Sequence, residues 1–548
     1  MIEKVAEATY QGLREGFRWP IPERLNIGTA CSTEQDQAAL ALIEVVDDEV
    51  RRYTFGDLTE GSDRLAAGLR DLGIRPGDRV AVMLPQGLAC GIAHLATYKL
   101  GGIAIPMTQL FGPQALGYRL GDSGAAAVIT DPSSLAMVTE VTRELDDVRI
   151  VVAGGDPAGE HPTLEALVAD SPAGFEAEPT GPDDPAVIIY TSGTTGAPKG
   201  ALHAHRVLLG HLPAFELMFD FFPQEGDRIW TPADWAWIGG LFDVLMPAWY
   251  HGRPVVATPK SRFEPEAALR LMTEHEVTAT FLPPTALKMM RQATLPDLAH
   301  SLRVIMSGGE PLGGEMLAWS RERFGVDINE IYGQTEANLL VGNSSAVWDV
   351  RPGSMGRPYP GHTLAVLDAE DQLAPPGVEG EIVARSDDPV VMLGYWQNPE
   401  ATEAKFVTVT DEDGTSHRWL RTGDLGSRDE EDYFWFSSRE DDVITSAGYR
   451  IGPAEIEECV LGHPAVAMVA AVGVPDELRG QVVKVFVTLA ESWSPSEELA
   501  DEIRAHVKAR LATYEYPREV EFIDELPMTT TGKVRRSALR SARQGSTP

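Results

Sequence analysis

At 548 residues the chain is too long for one typical core, so two or more folding units are expected. Its 43% hydrophobic and 23% charged content is that of an ordinary globular protein. The net charge of −36 repels nucleic acid and anionic lipid and argues against a polynucleotide partner. The same field repels a free nucleotide, so any phosphate site must supply local donors and a cation. Cys31, Cys90 and Cys459 share no CxxC spacing. They suit reduced thiols better than a disulfide framework or a zinc site. The longest apolar run, AVAMVAAVGV at 465–474, is about half a membrane span. With no signal-peptide pattern at the N-terminus, a soluble cytoplasmic protein without a transmembrane segment is expected.

In chain order, residues 78–107 read strand, helix, strand, closed by Gly101-Gly102: a βαβ unit. AAAVIT from 125 and VRIVVAG from 148 are further buried strands. AVIIY precedes a glycine loop at 191–200, and ALHAHRVLLG after that loop reads as helix. The alternation resumes with RIWTPAD, GLFDVLMPAWYHG, RPVVAT, VTATFLPP and SLRVIMSGG, as in doubly wound parallel sheets. From about 353, short strands such as HTLAVLD, GEIVAR and DYFWFSSR suit a small β-barrel-like piece. A compact α+β unit follows. It comprises helix PAEIEECVLGH with Pro453 in its first turn, two strands, and helix PSEELADEIRAHVKARL. Leu499, Ile503, Val507 and Leu511 mark one face of the last helix. The fold class is therefore α/β, with a boundary near 437–443. Residues 1–437 form a large domain of two doubly wound sheets plus the barrel, 438–442 a hinge, and 443–548 a small α+β domain.

Four short motifs carry chemistry. TSGTTGAPKG, 191–200, joins three glycines, four hydroxyls and Lys199. Such a loop turns backbone N–H groups toward phosphate, and a strand–loop–helix setting would strengthen it. It does not fit GxxxxGK[ST], because Lys199 follows Pro198. IYGQTEA, 331–337, sets Thr335 beside Glu336, a pair suited to Mg²⁺ and the phosphate it bridges. RTGDLG, 421–426, places Asp424 in a glycine-bracketed turn, where the plain alternative is an Asx cap. TTTGKVRR, 529–536, ends in Lys533, which taken alone is a solvated tail lysine. His203 and His205 form an H-x-H pair that reads as structural, since no further ligands accompany it.

Taken together, TSGTTGAPKG, YGQTE, RTGD, SREDD and TGK resemble the adenylate-forming superfamily over nearly the whole chain. PADWAWIGGL, RPGSMGRP, DDVITSAGYRIGPAEIE and PDELRGQVVKVFV resemble its medium-chain acyl-CoA synthetases. The resemblance implies an acid–thiol ligase that joins a medium-chain fatty or related carboxylic acid to coenzyme A. ATP would be consumed through an acyl-adenylate, with Mg²⁺ as cofactor. Thr191, Ser192, Gly193, Thr194, Thr195, Gly196 and Lys199 would hold the β- and γ-phosphates. Gly309, Glu310, Pro311 and Tyr332 would line the adenine cleft. Thr335 would contact the α-phosphate, Glu336 would ligate Mg²⁺, and Asp424 and Arg439 would hold the ribose. Lys533 would enter the site on the small domain, which is implied to be mobile and to turn about Asp441. That turn would bring Ala447, Gly448, Tyr449 and Arg450 to the CoA thiol, with Arg479 on CoA phosphate.

Trp235, Trp237, Gly239, Gly240 and Gly333 resemble acyl-pocket walls. Acetate-restricted relatives carry a tryptophan where this chain has Gly333, which implies a deeper tunnel and a larger acid. An aryl or short-chain acid ligase is the alternative within the superfamily, and a non-catalytic nucleotide-binding homologue is the alternative outside enzymes. A peptide-synthetase module is disfavoured, because Gly239 stands where its ammonium-pairing acid would lie. The sequence leaves a homo-oligomer open.

Overall fold

The computed structural model describes the chain except residues 1, 3–7, 48, 157–158, 192–196, 260–261, 311, 411–413, 440–441, 447–448, 477–479, 491–492, 512–514, 530–532 and 542–548. Two large sheets form its body. The first has seven strands. Four parallel neighbours, Ile103–Pro106, Arg79–Met83, Ala127–Thr130 and Arg149–Val152, are joined on one side by Pro185–Tyr190 and then Gly200–Ala204 and Gly394–Tyr395. The second has nine strands, and its parallel centre runs through Ile328–Gln334, Val304–Gly308, Ala279–Phe281, Ile229–Trp230 and Val255–Ala257. The expected βαβ unit is present as Arg79–Met83, the helix Leu88–Lys99 and Ile103–Pro106.

One apolar cluster spans both sheets, with Val80 and Val187 from the first and Leu42, Val255 and Val304 from the second. Helices Phe55–Asp71, Leu88–Lys99 and Val207–Met218 supply the layer between them. Every residue of Val207–Met218 is buried, which suits a helix apolar all round. Helix Phe55–Asp71 starts on a capping box in which Thr54 and Asp57 satisfy each other's backbone N–H. Inside this layer Lys99 Nζ lies 2.6 Å from Asp63 Oδ1, an ion pair with almost no solvent.

A third, five-stranded sheet contains Leu364–Leu367, Gly380–Arg385, Ser416–Arg428, Phe406–Thr410 and Phe434–Arg439. A fourth belongs to the C-terminal part. There Val466–Asp476 and Gly480–Leu489 pair antiparallel, and Glu519–Phe522 adds in parallel. Leu499, Ile503 and Val507 of helix Glu497–Lys508 pack on it as their spacing requires. The described residues contain no helix long and apolar enough to cross a membrane.

Two local expectations fail. ALHAH is not helical: Gly200–Ala204 is a strand, antiparallel to Pro185–Tyr190 with Tyr190 opposite Gly200, and helix begins only at Val207. Pairing on both sides, with Pro185–Tyr190 and Gly394–Tyr395, overrides the weak helical preference of five residues. The glycine loop is therefore the tip of a hairpin and has no helix N-terminus behind it. Asp424 is likewise not in a turn but inside the strand Ser416–Arg428, opposite Arg439.

Candidate active site

Three chain segments end at one cleft, each just past the carboxyl end of a sheet strand, where open α/β sheets bind ligands. The loop 191–199 follows Pro185–Tyr190, Gly309 and Glu310 follow Val304–Gly308, and Thr335-Glu336 follow Ile328–Gln334. Thr335 and Glu336 are the two-residue turn of a hairpin, since Gln334 pairs with Ala337. The hairpin tip is fixed from three directions. His203 Nε2 lies 2.8 Å from the Thr335 carbonyl, the Met392 amide donates to the Glu336 carbonyl, and Tyr395 Oη donates to Glu336 Oε1 at 2.6 Å. Burial lowers the His203 pKa to about 4, so the ring is neutral and Nε2 carries the proton toward that carbonyl. His203 is thus structural, as its spacing suggested, but the structure it holds is the Thr335 turn.

Tyr395 went unnoticed in the sequence and joins two segments of the cleft. Its hydroxyl holds Glu336, and its ring lies 5.2 Å from Lys199 Nζ, a cation–π contact. Burial, then the charge of Glu336, raises its pKa, so it stays a donor. At the loop's base the Thr191 amide donates to the Lys199 carbonyl at 2.9 Å, and Tyr118 Oη donates to the Pro198 carbonyl at 2.9 Å. Ser192, Gly193, Thr194, Thr195, Gly196 and Pro311 lie outside the described residues.

Asp424 is buried between Tyr332 and Arg439. Tyr332 Oη donates to its Oδ2 at 2.6 Å, Gln334 Nε2 lies 3.3 Å from the same oxygen, and Arg439 Nε stands 3.7 Å from Oδ1. Burial raises the carboxyl's pKa, against the lowering influence of Arg439 and the Tyr332 hydroxyl. Lys405 Nζ, also unforeseen, donates to the carbonyls of Arg421 and Thr422 beside it.

Lys533 meets this cleft from the C-terminal part of the chain. A Cβ built on Gly309, whose φ is +97°, would stand 3.6 Å from Lys533 Cε and 3.9 Å from Nζ. Lys533 keeps contact with solvent, yet the protein packed about it lowers its pKa below the ordinary lysine value. Glu310, Asp424 and Glu336 pull that value up, and Arg439 pushes it down. One cation therefore sits among three carboxylates drawn from three segments. Asp441, Ala447, Gly448 and Arg479 lie outside the described residues. Tyr449 and Arg450 belong to the strand Tyr449–Ile451.

On the acyl side, Trp235 is fully buried against Trp249, and Trp237 stands edge-on to Phe111 at 6.0 Å. A Cβ on Gly240 would collide with the Asp234 carbonyl, and one on Gly239 would stand 3.1 Å from Phe281. Gly333 does not open space of its own. A Cβ there would lie 2.5 Å from the Leu339 amide nitrogen and 2.8 Å from Asn338 Cα. The glycine permits a close backbone approach, so the expected extra tunnel depth is not found at this position.

The comparisons with known proteins agree with this geometry. Residues 29–396 match the family model of AMP-binding enzymes, and residues 455–533 match the AMP-binding enzyme C-terminal domain. The acetyl-coenzyme A synthetase of Bacillus subtilis (strain 168) is 32% identical over 517 residues, covering 93% of this chain and 88% of that protein. The mitochondrial acyl-coenzyme A synthetase ACSM3 of Mus musculus is 33% identical over 552 residues, covering 97% and 93%. Among solved structures, the anthranilate CoA ligase AuaEII in complex with anthranoyl-AMP has a TM-score of 0.85 at 29% identity. That match covers 96% of this chain and 98% of the other. The chain belongs to the AMP-binding enzymes. Within them it is an acyl-CoA synthetase, an AMP-forming ligase whose substrates are ATP, a carboxylic acid and coenzyme A.

Proposed function

We propose that this cleft activates a medium-chain fatty or related acid, larger than acetate, in two half-reactions. The carboxylate first attacks the α-phosphate of ATP, expelling pyrophosphate and leaving an acyl-adenylate. The CoA thiol then displaces AMP. The observation that carries this reading is Lys533 standing over Gly309 among Glu310, Asp424 and Glu336. Attack of one anion on another needs positive charge where charge develops, and Lys533 supplies it at the oxygens of the reacting phosphate.

Tyr332, Gly309 and Glu310 border the space for the adenine ring. Asp424, aimed by Tyr332 and Arg439, faces the ribose, and Thr335 faces the α-phosphate. The segment Thr191 to Lys199 holds the outgoing pyrophosphate, with Lys199 kept in place by the Tyr395 ring.

Glu336 fits a Mg²⁺ site of the kind completed by substrate phosphates. Oε1 is held by Tyr395, and among the described residues Oε2 meets no donor. Nor do three or more His, Cys, Asp or Glu side chains gather into an all-protein cage among those residues. When bound, the ion would neutralise phosphate charge. A turn of the small domain about Asp441 would then replace Lys533 with Ala447, Gly448, Tyr449 and Arg450 along the thiol's path, with Arg479 on CoA phosphate. The acidic chain and its three unpaired cysteines support a cytoplasmic setting.

Kinship does not fix the acid, since the relatives named above are described for acetyl, acyl and anthranoyl groups. An aryl acid is the second reading, favoured by Phe111, Trp237 and Phe281 around the pocket. The test is a panel of C2 to C16 and aryl carboxylates scored for AMP release with and without CoA. A maximum between about C6 and C12 supports the reading, and a maximum at acetate overturns it. AMP from no acid would leave a nucleotide-binding homologue.

A further inference from the structure

Three buried polar side chains beside the acyl walls take no part in the chemistry above. His211 belongs to helix Val207–Met218, Asp243 to the segment Leu241–Leu245 and Asn338 to strand Ala337–Gly342. Their exposures are 0%, 2% and 4%. The hydrogen positions follow from the partners. His211 Nδ1 lies 2.7 Å from the Val207 carbonyl, so the proton sits there and Nε2 accepts. Burial lowers the His211 pKa to about 3, which keeps the ring neutral. Asn338 Nδ2 lies 3.2 Å from that Nε2 and also donates to Asp243 Oδ1. Both amide hydrogens are thereby used.

What remains is Asp243 Oδ2. Among the described residues it meets no hydrogen-bond donor. It faces Gly239, standing 3.6 Å from where a Cβ on that glycine would be, beside the edge of Phe281. At the other end, Asn338 Oδ1 lies 2.8 Å from the Cβ position of Gly333. The polar chain therefore connects the two glycines assigned to the acyl wall, and its one unused atom points to that wall. The backbone is irregular at both carriers: Leu241–Leu245 is wound as a π-helix, and Leu339 has φ +53°. Burial alone raises the Asp243 carboxyl well above the usual carboxylate range. A leucine there would cost the fold less than a half-satisfied carboxyl, so the group calls for a ligand.

We propose that Asp243 selects acids carrying a hydroxyl or amino substituent, which bonds to its Oδ2 when the acid lies in the pocket. The inference rests on the synthetase reading. A neutral Oδ2–H donates to a hydroxyl oxygen, and an ionised Oδ2 accepts from an amine. Asn338 and His211 act as positioning residues that fix the rotamer of Asp243. Phe281 covers the adjoining apolar surface.

The test uses the full-length enzyme with hexanoate and benzoate. Each is offered bare and with a hydroxyl or amino group at successive positions, and kcat/KM is read as CoA-dependent AMP release. The best substituted acid is expected to exceed its bare parent by at least about tenfold, since sites built to bond a substrate group reject analogues lacking it. Asp243→Leu should bring that ratio to about one or below while bare acids are still used. Asp243→Asn, nearly isosteric, should keep a hydroxyl preference and lose an amine preference. Bare acids preferred by the unmodified enzyme, or an unchanged ratio in Asp243→Leu, would overturn the proposal while leaving the synthetase reading intact. AMP from none of the acids would remove both. Should Asp243→Leu fail to fold, the unmodified ratio and Asp243→Asn still decide.

Discussion

Replacing Lys533 by alanine removes the cation that the C-terminal part of the chain places over Gly309. Its Nζ stands 3.9 Å from the position of a Gly309 Cβ, so a nucleotide phosphate beside that glycine lies within direct reach. A unit charge about 4 Å from developing charge is worth roughly 4 kcal/mol at an effective dielectric near 20. Loss of one such transition-state donor typically costs about 2.7–4 kcal/mol, a factor of roughly 10² to 10³. Carboxylate-dependent pyrophosphate exchange should fall by that factor in Lys533→Ala. Thioester formation from presynthesised acyl-adenylate and CoA should stay within about threefold, because the lysine has no charge to stabilise there. Equal losses in the two assays would refute the assignment. The pH profile supplies a second check. Burial lowers the Lys533 pKa, and the catalytic form is the cation. Exchange should therefore be fully supported below the folded pKa and decline as pH rises through it, at lower pH than an ordinary lysine would allow. The thioester half-reaction should lack that alkaline limb, and Lys533→Arg should move it upward.

Gly333→Ala drives a methyl group into the Asn338–Leu339 backbone, and overpacking of that kind costs about 1–3 kcal/mol. A lower urea midpoint and a raised KM for the acid are expected, whereas an unchanged midpoint would mean the two strands separate freely. Lys99→Met leaves Asp63 buried without its partner, a loss of about 3–5 kcal/mol that Asp63→Asn in the same chain should largely restore. Denaturant melts of the single and double variants measure this, and failure of the double variant to recover would contradict it. Tyr395→Phe removes the donor that orients Glu336, so the Mg²⁺ concentration for half-maximal pyrophosphate exchange should rise about tenfold. An unmoved requirement would show that Glu336 is not the ligand.

Local periodicity made the strands, the helices and the α/β alternation legible, because a side chain's face repeats every two or 3.6 residues whatever the rest of the chain does. The unit at 79–106 and the apolar face of Glu497–Lys508 were readable for that reason. The short motifs around Thr335, Glu336, Asp424 and Lys533 were legible as a set, since their types and order are written in the chain. Where local signals are weak, tertiary pairing decided. ALHAH became a strand because two neighbours zip to it, and Asp424 entered a strand because Arg439 lies opposite. Nothing near Tyr395, His203 or Asp243 in sequence marks them. Their partners are 59, 132 and 95 residues away. A hydrogen bond depends on where folding brings two atoms, not on the residues beside either. The sequence by itself thus determined the family, the layered architecture and the residue types of the site. Only the tertiary structure decided which groups hold Glu336 and Thr335, what fills the space at Gly333, and that one oxygen of a buried carboxyl faces the acyl wall.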